Sequence, residues 1–297
     1  MTDSAGPVVA CVDGSDAALR AVRWAAAVAH RRKRPLRLVH FFDDTPLRYP
    51  RWSPTGQELG ELIRSRGRRV LRAARQAAVE VGPGLDPRLD ARREPTAKAL
   101  ISESRSASLL VLGTSGLSAL DRALPGSVSV ALAAHAHCPV AFVRPHVAED
   151  EPPAEGPVVL GVDDSPASDE AIRIAFEEAS WRGAGLVALH AWDDTFLAAV
   201  YEEAHWALRH PDIEEHEHEL LAQRLAGWQE KYPDVAVERV VRRGRAADLL
   251  LDLADRAQLI VVGSRGRGGL TGMLLGSTSQ AVLSYALCPV VVARSDP

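Results

Sequence analysis

Only three of the 297 residues are cysteine, and no two of them stand in C-x-x-C spacing. That excludes a disulfide framework or a cysteine-built zinc site and leads us to expect reduced thiols in a cytoplasm. Lysine is as scarce, 3 residues against 32 arginines, a bias that speaks of base composition more than of function. Aromatics make up 5% of the chain. No run approaches the ~18 apolar residues of a membrane-spanning helix. The opening MTDSAGPVVA has no basic segment and no long apolar stretch, so no signal peptide is expected. Two nucleotide motifs are missing as well. Without G-x-x-x-x-G-K-[ST] there is no Walker P-loop, and without G-x-G-x-x-G after the first strand there is no dinucleotide-binding turn.

What the chain does have is a second copy of itself at an offset of 150 residues. Gly113, Gly116, Gly126 and Ser127 return as Gly263, Gly266, Gly276 and Ser277. Asp13, Ser15, His40, Cys138-Pro139 and Arg144 return as Asp163, Ser165, His190, Cys288-Pro289 and Arg294. Each copy has the size of an ordinary domain. The expected division is 1–145 and 157–297, joined by an acidic, proline-rich linker over 146–156. Residues 1–150 carry 22 Lys+Arg against 15 Asp+Glu, and the remainder 13 against 24. Opposite signs on sister domains suit mutual docking or the steering of a partner, or are simply two solvated surfaces.

In the first copy, apolar strand-like runs at 7–13, 36–42, 108–113 and 139–144, with a weaker one at 87–94, alternate with helical patterns at 17–33, 58–81, 96–105 and 127–136. The second copy repeats this at 157–163, 186–192, 235–241, 259–264 and 289–294, with helices at 167–183, 212–231, 246–256 and 277–286. Alternation of this kind predicts two tandem α/β domains, each a doubly wound, five-stranded parallel sheet of flavodoxin-like or Rossmann-like form. Ligands of such sheets bind beyond the carboxyl ends of the strands. There the first strand ends in Asp13-Gly14-Ser15 or Asp163-Asp164-Ser165, and the fourth opens the loop G-x2-G-x9-G-S. Glycines let backbone N–H groups approach an anion, and the helix that follows presents free donors. Ser127 or Ser277 would cap that helix or give its hydroxyl to a phosphate. Ordinary turn chemistry gives the same residues, and the duplicated spacing favours the polyphosphate site.

The set VxxxVDGS (9–15), LVH (38–40), G-x2-G-x9-G-S and HCPVAFVR (137–144) resembles the universal stress protein family, and GSRGRGGLTGMLLGSTSQAVLSYALCPVVVAR (263–294) resembles it more closely still. The resemblance covers both copies and implies a tandem member of the ATP-binding branch, an adenine-nucleotide-binding sandwich. It also implies the site residues. In the first copy these are Asp13, Phe41, Gly113, Gly116, Gly126, Ser127 and Val128. In the second they are Asp163, Ala191, Gly263, Gly266, Gly276, Ser277 and Thr278, with Arg265 and Arg267 in the loop. The first aspartate would meet adenine or ribose and the glycine-rich loop the phosphates, with Mg²⁺ on a bound triphosphate. Relatives commonly dimerise through the last strand, so internal pairing of the two copies, or a homodimer, is implied together with an unidentified regulatory protein partner.

The copies differ where charge matters. Arg265 and Arg267 face Ser115 and Leu117, and Gly244 faces Glu94, so the second copy is expected to bind ATP more tightly. No paired catalytic motif accompanies the phosphate loop, so the expectation is a regulator with at most slow hydrolysis. An ATPase or nucleotide-handling enzyme on the same scaffold, or an interaction module that takes no nucleotide, are the alternatives. His40 and His190 end apolar strands and suit structural roles. His205, His210, His216 and His218 lack the spacing of a metal site. The run Arg64, Arg66, Arg68, Arg69, Arg72, Arg75 reads as a solvated helix face rather than a nucleic-acid contact, since no aromatic stacking pattern goes with it.

Overall fold

Val8, Val9 and Ala10 are each at most 1% exposed although successive strand residues face opposite sides. The sheet they belong to is therefore covered on both faces. The computed structural model describes residues 6–42, 54–114, 126–144, 153–192, 210–266 and 275–294. The chain divides into two compact units at Pro152–Pro153.

The first unit runs β1 (Val8–Cys11), α1 (Asp16–Arg31), β2 (Leu36–Phe41), α2 (Pro54–Val81), β3 (Arg88–Arg92), α3 (Thr96–Glu103), β4 (Leu109–Gly113), α4 (Ser127–His135) and β5 (Val140–Val143). Its strands pair in parallel in the order β3-β2-β1-β4-β5. The second unit runs β6 (Val158–Val162), α5 (Pro166–Arg182), β7 (Leu186–Trp192), α6 (His210–Arg224), α7 (Trp228–Lys231), β8 (Val237–Arg243), α8 (Ala246–Ala254), β9 (Leu259–Gly263), α9 (Ser277–Tyr285) and β10 (Val290–Ala293). Its parallel order is β8-β7-β6-β9-β10. Of the two strand orders left open by the sequence, the Rossmann-like one is realised in both units. Strand order reverses between the first and fourth strands, and this puts the ends of β1 and β4, or of β6 and β9, side by side at the switch point.

One expected element is divided. The helix read over 212–231 stops at Arg224 because Gly227 takes φ +78°, a left-handed conformation that ends a helix, and a single turn, α7, follows. The break lets Trp228 and Tyr232 reach fully buried Phe176 of α5, with ring centroids 5.7 and 5.8 Å away. In the first unit the arginines of α2 from Arg64 to Arg75 are exposed, as a solvated face requires.

A charged network belongs to the first unit alone. Arg92 holds Asp90 at 2.6 Å and Glu103 at 2.5 Å, and Arg37 holds Glu103 at 3.0 Å and Asp90 at 3.3 Å. At the positions of Arg37, Asp90 and Glu103 the second unit has Val187, Val240 and Leu253. Burial pushes the Asp90 carboxyl up, but the hydrogen bond and charge of Arg92, joined by Arg37, outweigh it and hold it below the usual carboxylate range. A carboxyl held low in the fold stabilises it above its unfolded pKa, about 4 for Asp, and that stabilisation goes as pH falls below. Asp90→Asn is therefore expected to flatten the acid limb of the first unit's thermal stability below about pH 4. An acid limb as steep as that of the parent would refute the assignment.

Candidate functional site

At the end of β6, Asp163 is pinned by its neighbours. Its Oδ1 accepts from the Ser165 backbone N–H at 3.0 Å and from Ser165 Oγ at 2.5 Å, while its own N–H donates to Ser168 Oγ at 3.0 Å. Oδ2 is turned toward the loop after β9. A Cβ on Gly266 would lie 2.6 Å from it, so the carboxylate approaches the backbone more closely than any side chain allows. Ser165 Oγ also lies 3.2 Å from the Arg265 carbonyl, which ties the two loops together.

The start of α9 forms the opposite wall. Its N-cap is Gly276, whose N–H donates to Ser264 O at 2.9 Å and which offers no side chain to the first turn. The first helical residue is Ser277, so neither it nor Ser127, which follows Gly126 in α4, occupies the capping position. Of the two roles expected for these serines, capping is excluded, because glycine has taken the position. Among the described residues the N–H groups of Ser277, Thr278 and Ser279 have no capping acceptor, while Ser279 Oγ donates to Gly263 O at 2.6 Å. The opening of α9 thus combines unsatisfied donors with the positive end of a helix dipole.

These parts enclose a cavity of about 450 Å³, within the usual range for small-molecule sites, roughly 300–1,000 Å³. Asp163, Ala191, Gly263, Arg265, Gly266, Gly276, Ser277 and Thr278 all line it, which brings together every second-copy candidate within the described residues. Arg267 lies outside them. The remaining walls are chiefly apolar, from Val162, Leu189, Leu250, Val262 and Leu275. Nearby, burial and then the charge of Arg265 push the Arg294 guanidinium below its ordinary value.

In the first unit Asp13 Oδ1 accepts from Ser15 N at 2.8 Å and Oγ at 2.7 Å, repeating the turn, here with Gly14 at φ +92°. Gly126 is the N-cap of α4, and Ser127 and Val128 open that helix. Phe41 ends β2 and is 8% exposed. Gly113 has a packing reason to be glycine, since a Cβ there would lie 2.1 Å from the Ala17 carbonyl oxygen of α1. Gly116 lies outside the described residues.

The paired histidines sit under the loops. His40 Nδ1 lies 2.6 Å from the Val12 carbonyl, and His190 Nδ1 2.9 Å from that of Val162. A carbonyl only accepts, so Nδ1 carries the proton in each. His190 is fully buried, and its Nε2 meets Glu217 Oε2 of α6 at 2.6 Å. One helical face further on, Arg224 donates to Ser165 O at 3.0 Å and pairs with Asp169 at 3.1 Å. The first copy has Gly67 and Ala74 at these positions. Glu217 and Arg224 escaped the sequence reading. Their seven-residue spacing on one helix was the available signal. Among the described residues no group of three metal-capable side chains converges, and no helix is long and apolar enough to cross a membrane. Burial pushes the Cys138 and Cys288 thiols up to about 12, which leaves them protonated and inert.

The model of the universal stress protein family matches residues 5–144 and again 156–294. The chain is a tandem universal stress protein. It is 42% identical over 293 residues to universal stress protein Rv2005c of Mycobacterium tuberculosis, covering 97% of each chain. It is 41% identical over 300 residues to universal stress protein Rv2623 of the same species, covering 97% of this chain and 96% of that one. Among solved structures, a universal stress protein from Archaeoglobus fulgidus superposes with a TM-score of 0.68 at 18% identity, covering 98% of this chain and 99% of that one, a likeness of fold. In this tandem universal stress protein, Glu217 and Arg224, outside the glycine-rich loop, brace the walls of the second unit's cavity through His190 and Ser165.

Proposed function

We propose that this universal stress protein is an ATP-binding regulatory protein whose second unit is the stronger nucleotide site. The observation that carries the reading is one cavity that joins an apolar slot, a pinned carboxylate and an uncapped helix start. Leu189, Ala191, Leu250 and Val262 suit the flat faces of adenine. Asp163 Oδ2 suits a base or ribose donor, and with the phosphates would share Mg²⁺. The first-turn N–H groups of α9, with Arg265, suit the phosphates. Asp163 is the one carboxylate lining the cavity among the described residues, and no base–nucleophile pair joins it. Occupancy rather than turnover is then the signal, read by a protein partner, with hydrolysis slow at most. Fast Mg²⁺-dependent hydrolysis would replace this with the enzymatic reading.

Mass spectrometry of ligand released from purified protein tests the proposal directly, with an adenine nucleotide expected. Ser277→Pro refines it. Proline is favoured at the first helical position, and Gly276 at φ −67°, ψ 149° already has the backbone that precedes proline. The variant removes one N–H donor and keeps the helix. ATP affinity is expected to fall roughly 10- to 100-fold, the worth of a hydrogen bond to a charged group. Ser277→Ala, which keeps that N–H and loses only the hydroxyl, is expected to bind ATP more tightly than the proline variant, and the difference between the two gives the share of the N–H. Equal affinities of the proline variant and the parent would remove α9 from the site.

A further inference from the structure

We infer that the first unit's counterpart of the cavity is closed to a nucleobase by its own side chains, chiefly Phe41, so that the chain carries one purine-nucleotide site, in the second unit. This rests on the reading of the second cavity as a nucleotide site and goes further, from a weaker first site to one without room for the base.

Strand register makes the comparison residue by residue. Cys11 pairs with Val39 as Gly161 pairs with Leu189, and Phe41 pairs with Arg92 as Ala191 pairs with Arg242. Leu189 and Ala191 both line the second unit's cavity, which identifies that face of β7 as the cavity face. Phe41 stands two residues beyond Val39 on the same face of β2. Where Ala191 leaves space, Phe41 places a phenyl ring, and it is buried rather than turned to solvent.

The adjacent strand works in the same direction. A Cβ built on Gly161 would lie 3.2 Å from Leu250 Cδ1 and 3.4 Å from Val262 Cγ1, both cavity walls, so any side chain at this position enters the slot. Cys11 has that Cβ and a sulfur beyond it. Cys11 is half-buried, and the positions of Leu250 and Val262 are filled by Leu100 and Leu112. Thr96 replaces Ala246, and Leu112 is larger than Val262. Among the strand and helix positions that line the slot, Val39 for Leu189 is the one change that makes room, by a single carbon, far less than the ring of Phe41 fills; Ser115 for Arg265 and Pro125 for Leu275 are smaller too, but stand in the glycine-rich loop. The two phosphate ends share an uncapped helix start, Gly126 leaving α4 without a side-chain cap just as Gly276 leaves α9, and differ in loop charge, Ser115 standing where the second unit has Arg265. At the base the units diverge in the space itself.

Calorimetric titration of the full chain with ATP and Mg²⁺ tests this by counting. One nucleotide per chain is expected, abolished or weakened by Ser277→Pro. Two sites of comparable affinity would overturn the inference and leave the nucleotide reading standing, whereas no binding at all would end both. The reciprocal variant Ala191→Phe transplants the plug into the second unit, where the open cavity gives the ring space. A loss of affinity on the order of 100-fold is expected from forcing base and ring into one slot. An affinity within about 3-fold of the parent, with thermal unfolding unchanged, would overturn the assignment of Phe41. Phe41→Ala combined with Cys11→Gly is expected to raise the count to two, and a folded double variant that stays at one would count against it.

Discussion

Gly113→Ala is expected to destabilise the first unit strongly, while Gly263→Ala, the same change in the second copy, is expected to be tolerated. The Cβ added at Gly113 would stand 2.1 Å from the Ala17 oxygen, 2.3 Å from its carbon and 2.7 Å from Ala18 N. All three are backbone atoms in the first turn of α1, so no side chain can rotate away and the helix itself has to move. Overpacking costs about 1–3 kcal/mol, and a clash with backbone alone belongs at the upper end, about 3 kcal/mol, a large part of the 5–15 kcal/mol that holds a typical domain together. At Gly263 the nearest atoms, the Cβ and backbone of Ala167, are 3.2 to 3.3 Å away, and α5 has to yield by only a few tenths of an ångström. A cost of about 1 kcal/mol is expected there. Urea unfolding of the two variants decides it, and a Gly113→Ala protein as stable as the parent would refute the packing.

The second large effect belongs to Glu217→Ala. His190 is fully buried, its Nδ1 proton is committed to Val162 O, and a second proton must lie between Nε2 and Glu217 Oε2 at 2.6 Å. Removing the carboxylate leaves a buried ring nitrogen without a partner and is expected to cost on the order of 3 kcal/mol. Glu217→Gln is expected to cost less than about 1 kcal/mol, because its amide N–H can donate to Nε2 of a neutral ring. Nitrogen NMR of the imidazole should then report a proton shared between Nε2 and Oε2 in the parent and Nδ1 alone protonated in the glutamine variant. If alanine and glutamine destabilise alike, the contact is not a shared-proton pair. The first unit offers the natural control, for at this position it has Gly67, whose Cβ would sit 3.0 Å from His40 Cδ2, so that α2 packs straight onto the ring.

The strands were readable because both faces of each inner strand are buried, and near-continuous runs such as SLLVLG and LIVVGS have few other uses in a soluble domain. The same uniformity hid their order, since a strand apolar on both faces says nothing about its neighbours. The break at Gly227 was not readable. One glycine within a helical pattern costs only about 1 kcal/mol, and the reason for it, contact with Phe176, lies some fifty residues away in sequence. That the second unit's candidate residues would gather round one cavity was readable from the glycine-serine spacing and from the resemblance that spacing carries. The supporting groups were not, because Glu217 and Arg224 meet their partners across 27 and 59 residues with no local pattern between them. Gly113 was marked by its conservation of register between the copies, yet the close approach it serves is that of a helix.

If the second unit takes the nucleotide proposed for it, the helix start that Gly276 leaves bare makes the stability of that unit a function of nucleotide supply. A ligand that binds only the folded state adds RT ln(1 + [L]/Kd), about 2.7 kcal/mol at a hundredfold excess over Kd. A serine or aspartate at that position would supply the same first turn with an internal acceptor, worth about 1 kcal/mol at any ATP level. With glycine there, the proposed nucleotide would leave the unit firmest when it is plentiful and looser as it runs down. The melting temperature of one half of the chain would then track the energy state of the cell, while the other half stays indifferent to it.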